Sequence, residues 1–398
     1  RDGIFGIVVV GVAGFVSWPL ARERAVPRRG VGVAAAAEEP PLFARDADDE
    51  VWSHLNIDGR YDRVQAPTFH IGGWYDCFIG ETLRQYEAMK ERAQAANTRP
   101  PRLLVGPWTH GEFGSTVGDL DFGIGSSGAF LNYRGDLTEA HLRWFDATLK
   151  GEEGPLEERP PVEVFVMGEN RWRGYAGWPV PGAREERWHL HGDGRLSREA
   201  PGRSEPDEYD YDPADPVPTV GGAIFMAPIH RPGARDQREV EARADVLLYT
   251  SEVLRDDYTA LGPVHATLFA ATSAPDTDFV VRLVDVHPDG RAIVVTDGVI
   301  RASQREAFPA PSVIRPAGPK PVEPGRVYEY RVDLWATGIT FGADHRIRVQ
   351  VTSSSFPRWD RNPNTGEGPD SVRTEVARQR IFHDPERPSH LTLTVVDV

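Results

Sequence analysis

Two short stretches of the chain carry the residue types that acid–base chemistry requires. Gly72-Gly73-Trp74-Tyr75-Asp76 and Gly106-Pro107-Trp108-Thr109-His110-Gly111 each follow an apolar run and each end on or near a titratable side chain. Asp76 and His110 are 34 residues apart, about the length of one crossover between neighbouring parallel strands. A histidine can take the proton from an attacking hydroxyl, and an aspartate behind it holds the tautomer and stabilises the imidazolium. Each residue alone has a plainer reading. Asp76 precedes a helical pattern and suits a helix N-cap, and His110 suits a solvated surface loop. The pair, in the order Asp then His and flanked by aromatic residues, points to the last two members of a Ser, Asp, His series.

The nucleophile is harder to place. Ser126 and Ser127 lie in GIGSSGAF, where two residues rather than three separate the glycines, and they follow His110 instead of preceding Asp76. That stretch reads as a loop. Cys77 adjoins Asp76 near a helix start, where a thiolate is favoured, but it would point away from a triad that Asp76 itself joins and reads as a packed cysteine. The acidic run EPDEYDYDPADP, residues 205–216, has no calcium-loop spacing. Its alternation of Tyr209 and Tyr211 with Asp210 and Asp212 reads as a strand entering a proline turn.

Elements able to hold Asp76 and His110 together are legible on both sides of them. APTFHI, residues 66–71, reads as a strand with GGWYD as the loop after it. Phe78 to Ala93 reads as a helix, with Leu83, Tyr86 and Met89 three apart. PRLLVG, residues 101–106, reads as a second strand with PWTHGE as its loop. Residues 136–150 read as an amphipathic helix with Leu137, Leu142, Phe145 and Leu149 on one stripe. Strand, helix, strand, helix implies a parallel sheet whose function gathers at the carboxyl ends of the strands. Upstream, residues 3–21 carry no charge, and Ile7-Val8-Val9-Val10 reads as a strand buried on both faces rather than a membrane span. Residues 22–49 are of low complexity and read as unstructured.

Past Gly151 the period changes. VEVFVMG, RWHLHGDG, VLLYTS, ATLFAAT, FVVRLVDVHPDGR, YEYRVDLW, HRIRVQVTSSS and LTLTVVDV are short runs bounded by turn residues, and HPDG is a hairpin turn. This half is expected to be a β-sandwich of the jelly-roll kind. The polar loop FPRWDRNPNTG, residues 356–366, is expected to face the first domain.

Composition sets the outer limits. The chain has 398 residues, enough for about two cores. A net charge of −15 argues against a nucleic-acid surface, which needs clustered Lys and Arg. One cysteine excludes an internal disulfide and any multi-cysteine zinc site. With 34 prolines and 39 glycines, a loop-rich β region is expected.

The stretches HIGGWYD, LLVGPWTHGE, HLRWFDATLKG, VFVMGENRW, YDPADPVPTVGG, DTDFVVRLVDVHPDGRA and SSSFPRWDRNPNTG resemble the CocE/NonD family, cocaine-esterase-like hydrolases akin to X-prolyl dipeptidyl-peptidases. The resemblance runs from about Asp48 onward. It implies an α/β-hydrolase core, a helical cap and a C-terminal jelly roll. It also implies that Asp76 and His110 are the triad acid and base. The family's nucleophile sits in a Gly-x-Ser-x-Gly-Gly turn. Aligning GFVSWPLARER with the helix after that turn puts Gly11 in the serine position, with Ser17 a further turn along the helix. The family's first strands and its tyrosine oxyanion donor find no match, so the chain is expected to be N-terminally incomplete or altered.

The domains are therefore expected as a degenerate region over 1–50, the C-terminal part of a hydrolase domain over 51–152 and a jelly roll over 153–398. The expected function is a serine acyl hydrolase acting on a small ester, amide or short peptide, with this chain lacking the serine. The alternative is a non-catalytic remnant or a jelly-roll binding protein. Trp74, Tyr75, Trp108 and Phe113 are expected to line the substrate pocket or else to pack between the domains. No cofactor, metal, nucleic-acid partner or membrane is expected, the oligomeric state is left open, and the expected location is the cytoplasm with secretion as the other option.

Overall fold

The computed structural model describes residues 9–10, 57–152, 158–225, 231–306, 319–368 and 371–397. Gly11, Ser17 and the low-complexity stretch 22–49 lie outside them. Among the described residues, no helix is long and apolar enough to cross a membrane.

The first sheet contains β1 (Val9–Val10), β2 (Phe69–Tyr75) and β3 (Arg102–Thr109), all parallel. All seven residues of β2 and all but the first of β3 are buried. Strands covered on both faces read as continuous apolar runs rather than alternating ones. Between β2 and β3 runs α1 (Ile79–Ala96), which buries Ile79, Leu83, Tyr86, Met89 and Ala93 at helical spacing. It ends on Asn97 in the left-handed conformation, a common helix stop. Both strands extend further than the sequence reading expected. The segments GGWY and PWT, read as loops, complete β2 and β3, so that Asp76 and His110 are the first residues beyond their strands.

A small hairpin follows, β4 (Thr116–Val117) with β5 (Leu120–Asp121). Next comes α2 (Leu137–Phe145), which continues as a π-helical turn over Asp146–Lys150. Asp136 caps α2 by accepting from the Glu139 N–H at 2.7 Å. The apolar stripe differs from expectation. Trp144 and Ala147 are buried and Leu137 and Phe145 pack beside them, while Leu142 and Leu149 are exposed. Leu142 stands five residues past Leu137, well off one face at about 3.6 residues per turn, and the wider π turn carries Leu149 away from the packed side.

The sheet also extends past residue 152. VEVFVMG, expected to open the sandwich, supplies β6 (Val162–Val166), which pairs parallel to β3, and β7 (Arg171–Tyr175) pairs antiparallel to β6. The sheet order is β1-β2-β3-β6-β7. Period-two patterning marks a strand but not its sheet. Val162, Val164, Phe165 and Val166 are all buried, so this strand requires cover on both faces.

The remainder is built from two antiparallel sheets. One comprises β8 (Arg184–Leu190), β9 (Leu196–Ser197), β10 (Asp207–Tyr211), β12 (Tyr258–Thr272), β15 (Tyr328–Phe341), β17 (Ala377–Asp384), β18 (Arg387–Pro388) and β19 (His390–Val395). The other comprises β11 (Leu247–Thr250), β13 (Asp278–Val286), β14 (Ala292–Arg301) and β16 (Arg346–Thr352). Their inner faces meet, as at Phe279 and Tyr330, whose ring centroids are 4.8 Å apart. Among the described residues past 220, the helical elements are a single α turn, Arg238–Glu241, and a 3₁₀ turn, Ala302–Gln304. The acidic run does form a strand, β10, with Tyr209 and Tyr211 inward and Glu208 and Asp210 outward, where Asp210 pairs with Arg378.

The two halves share one hydrophobic core, which runs from Trp74, Ile79 and Val105 to Leu268, Leu334 and Val395. Backbone bonds stitch them together, Met167 N–H to Gly338 O at 2.9 Å and Thr340 N–H to Met167 O at 2.8 Å. Gly338 permits this approach, since a Cβ there would lie 2.8 Å from the Trp74 indole.

Candidate active site

Asp76 and His110 sit where two adjacent parallel strands end. The strands approach very closely just before that point. A Cβ on Gly73 would lie 2.2 Å from the Trp108 carbonyl oxygen, so only glycine fits. The pairing of β2 with β3 shifts register between Gly73 and Tyr75, and Asp76 follows at once.

The Asp76 N–H donates to Gly73 O at 2.9 Å, and the Asp76 carboxylate accepts from the Phe78 N–H at 2.9 Å. Oδ1 also lies 3.1 Å from His110 Nδ1. Asp76 is not the N-cap of α1, a place taken by Phe78; its Oδ1 instead orders the turn ahead of α1 and lies against the imidazole. An ionised carboxylate only accepts, so Nδ1 carries the proton and Nε2 keeps a free lone pair. That is the arrangement a general base requires. The pair is partly accessible, with 22% of the His110 and 15% of the Asp76 side chain exposed.

Two phenyl rings pack against the imidazole. Phe78 stands edge-on at 4.9 Å and Phe225 lies tilted at 5.3 Å. Both are among the exposed large apolar residues. Phe225 belongs to the segment between β10 and β11, two strands of the sandwich half, and sequence reading missed it. The only available signal was its place just after YDPADPVPTVGG. Arg358, in the polar loop expected to face the first domain, brings its charge close enough to act on the Cys77 thiol. Arg358 also pairs with buried Asp297 and lies over Trp359.

The expected pocket aromatics divide differently. Trp74 is buried against Trp178 and donates its indole N–H to Phe165 O at 2.6 Å. Tyr75 is buried and donates its hydroxyl to Val294 O in the sandwich at 3.0 Å. These two residues dock the domains, which was the other reading given for them. Alternation along β2 sends neighbouring side chains to opposite faces, and burial over all of β2 leaves both of these rings packed. Trp108 is buried with its N–H on Ser126 O at 2.8 Å, edge-on to Phe113 and tilted against Trp172. Phe113 is half-buried.

Cys77 stays protonated. Burial first, and then the Asp76 carboxylate, pushes its thiol up to about 12. Ser126 is buried in a single 3₁₀ turn and donates to Gly123 O at 2.8 Å, as befits a loop residue. The ligand atoms of Asp76, Cys77 and His110 lie within 4.8 Å of one another. A metal there would need a thiolate, which this environment opposes.

Residues 155–392 match the model of the X-Pro dipeptidyl-peptidase C-terminal non-catalytic domain, and residues 28–112 match that of X-Pro dipeptidyl-peptidase of the S15 family. The chain is 39% identical to cocaine esterase of Rhodococcus sp. (strain MB1 Bresler) over 363 residues, which cover 88% of this chain and 60% of that protein. Among solved structures it is similar to an aminopeptidase from a marine sediment archaeon, Thaumarchaeota archaeon, with a TM-score of 0.75 and 28% identity over 88% of this chain and 58% of that one. It is equally similar to an α-amino acid ester hydrolase, with a TM-score of 0.75 and 30% identity over 87% of this chain and 59% of that one. The chain thus spans about three fifths of the length of these relatives.

Proposed function

The chain belongs to the CocE/NonD family of cocaine-esterase-like and X-prolyl dipeptidyl-peptidase-like hydrolases, and from that membership we propose that Asp76 and His110 are the acid and base of a serine acyl-hydrolase triad. The observation that carries the reading is the 3.1 Å contact between Asp76 Oδ1 and His110 Nδ1 at the carboxyl ends of adjacent parallel strands. In the reaction, a serine hydroxyl attacks the acyl carbon while His110 Nε2 takes its proton. His110 then gives that proton to the leaving alcohol or amine. Water enters by the same relay and releases the acid. Asp76 keeps the ring in the right tautomer and offsets the charge that forms on it.

The substrate we propose is a small ester, amide or short peptide. The relatives' names carry the same chemistry, an ester, an amino-acid ester and an aminopeptidase. We read the C-terminal sandwich as a jelly roll that closes the site from one side, with Phe225 and Arg358 as its contributions. We place Gly11 in the nucleophile position, so the chain by itself should have little hydrolase activity. The rival reading, a sandwich that binds carbohydrate, calls for an exposed aromatic strip. Among the described residues of the sandwich half, the exposed large aromatic side chains are Phe225 and Phe356, both outside the named strands.

The test offers the purified chain p-nitrophenyl esters and a fluorophosphonate probe. The chain as it stands should label weakly or not at all. Gly11→Ser should gain covalent labelling that His110→Ala or Asp76→Asn then removes. Labelling of the unaltered chain that disappears with His110→Ala would overturn the assignment of Gly11. Labelling of Gly11→Ser that is indifferent to His110 would overturn the triad.

A further inference from the structure

A second cluster of ligating side chains lies away from Asp76 and His110, where the sandwich meets the parallel sheet. Strands β13 and β16 pair antiparallel, with Val286 opposite Arg346. The next residue out on each strand is a histidine, His287 at the start of the HPDG turn and His345 just ahead of β16. Register therefore sets the two imidazoles side by side, with ring centroids 4.5 Å apart. Between them sits the buried carboxylate of Asp285, with Oδ1 2.8 Å from His345 Nδ1 and Oδ2 3.3 Å from His287 Nε2. One ligand atom from each of the three residues lies within 4.8 Å of the other two.

The cluster forms part of the wall of a cavity of about 270 Å³, which the parallel-sheet half lines with Tyr75, Asp121 and Asn170. His287 Nε2 is buried and has no hydrogen-bond partner of good geometry. The contact to Asp285 is close but misaligned, which suits two groups facing a common centre better than a proton shared between them.

We propose that Asp285, His287 and His345 form a binding site for a borderline divalent transition metal of the zinc class. Two imidazole nitrogens and one carboxylate oxygen are the donor types such ions take, at about 2.0–2.2 Å each. Calcium and magnesium favour sets made up of oxygens alone. Two donors at those lengths around a tetrahedral ion stand about 3.3–3.5 Å apart. His287 and Asp285 already meet that spacing, while His345 Nδ1, hydrogen-bonded to Asp285 at 2.8 Å, must give up the shared proton and retreat by roughly half an ångström or more. The cavity supplies the remaining coordination positions, open to water or to a group entering from the parallel-sheet side. An ion here would tie the open ends of β13 and β16 together at the surface that docks the two halves.

The experiment uses the full chain, freed of any histidine tag and stripped with chelator. Cobalt(II) and zinc(II) are the probes. One equivalent of cobalt should give visible d–d absorption of tetrahedral intensity, displaced by zinc. His287→Ala and, separately, His345→Asn should each weaken binding at least 100-fold while the far-ultraviolet circular dichroism stays unchanged. Cys77→Ser and His110→Ala, which alter the other convergent group, should bind cobalt like the unaltered chain. Absence of the spectrum, or binding that survives both histidine changes, would overturn the site, as would binding lost with Cys77→Ser or His110→Ala. None of these readouts depends on hydrolase activity, so the outcome is separate from that of the triad.

Discussion

Gly73→Ala tests whether β2 and β3 approach as closely as the Asp76–His110 contact implies. The added Cβ would meet the Trp108 carbonyl oxygen at 2.2 Å and the carbonyl carbon at 2.6 Å. Ordinary van der Waals contact begins near 3.4 Å, so the two strands must part by about 1 Å. The obstacle is backbone inside a buried sheet, and no rotamer change relieves it. Overpacking of this kind costs about 1–3 kcal/mol, and the rigid setting places it near 3 kcal/mol. With about 2.1 cal/mol/K of unfolding entropy per residue, a chain of 398 residues that unfolds as one unit has about 0.8 kcal/mol/K. The expected loss in Tm is then about 4 °C. Gly177→Ala is the control, because a Cβ there meets nothing within 4 Å and should change stability by no more than about 0.5 kcal/mol. Thermal and urea unfolding of the full chain, followed by tryptophan fluorescence, measure both. In a variant that has gained labelling through Gly11→Ser, Gly73→Ala should also cut the labelling rate about 100-fold, since a shift of about 1 Å spoils the alignment of the proposed acid, base and nucleophile. Equal stability of Gly73→Ala and Gly177→Ala would refute the close approach and, with it, the account of how Asp76 and His110 are set.

Two further outcomes follow from buried titratable groups. Burial holds the His70 imidazole neutral and lowers it to about 4, whereas the unfolded chain takes its proton near 6.5. Between these values the unfolded state binds a proton that the folded state refuses. Stability should therefore fall as pH drops through 6.5 and level off near 4, by about 3 kcal/mol in total. His70→Gln should remove that part of the slope in urea titrations, and an unchanged slope would refute the assignment. The Cys77 thiol, pushed up to about 12, should alkylate with iodoacetamide at pH 8 about 10³-fold more slowly than a free cysteine of ordinary pKa. Reaction at the free-thiol rate would mean that Cys77 is a competent nucleophile after all.

Much of this molecule was legible in short windows of sequence. Continuous apolar runs at 66–71 and 101–106, separated by a helical period, are enough to imply parallel strands with a crossover. A titratable residue just beyond each run is enough to bring Asp76 and His110 together, because consecutive parallel strands are usually neighbours. The alternation of Tyr209 and Tyr211 with charged residues marked β10 for the same local reason. Tertiary structure decided what depends on distant partners. Periodicity marked VEVFVMG as a strand, but only the long-range pairing with β3 assigned it to the parallel sheet rather than the sandwich. Trp74 and Tyr75 have the composition of a pocket, yet Phe165 O and Val294 O, far along the chain, claim their polar atoms. Phe225 reaches His110 across 115 residues of sequence, and the Asp285, His287 and His345 cluster arises from the register of β13 on β16. Local pattern reports which residues want burial and at what period, whereas which surface buries them is settled only when the sheets pack together.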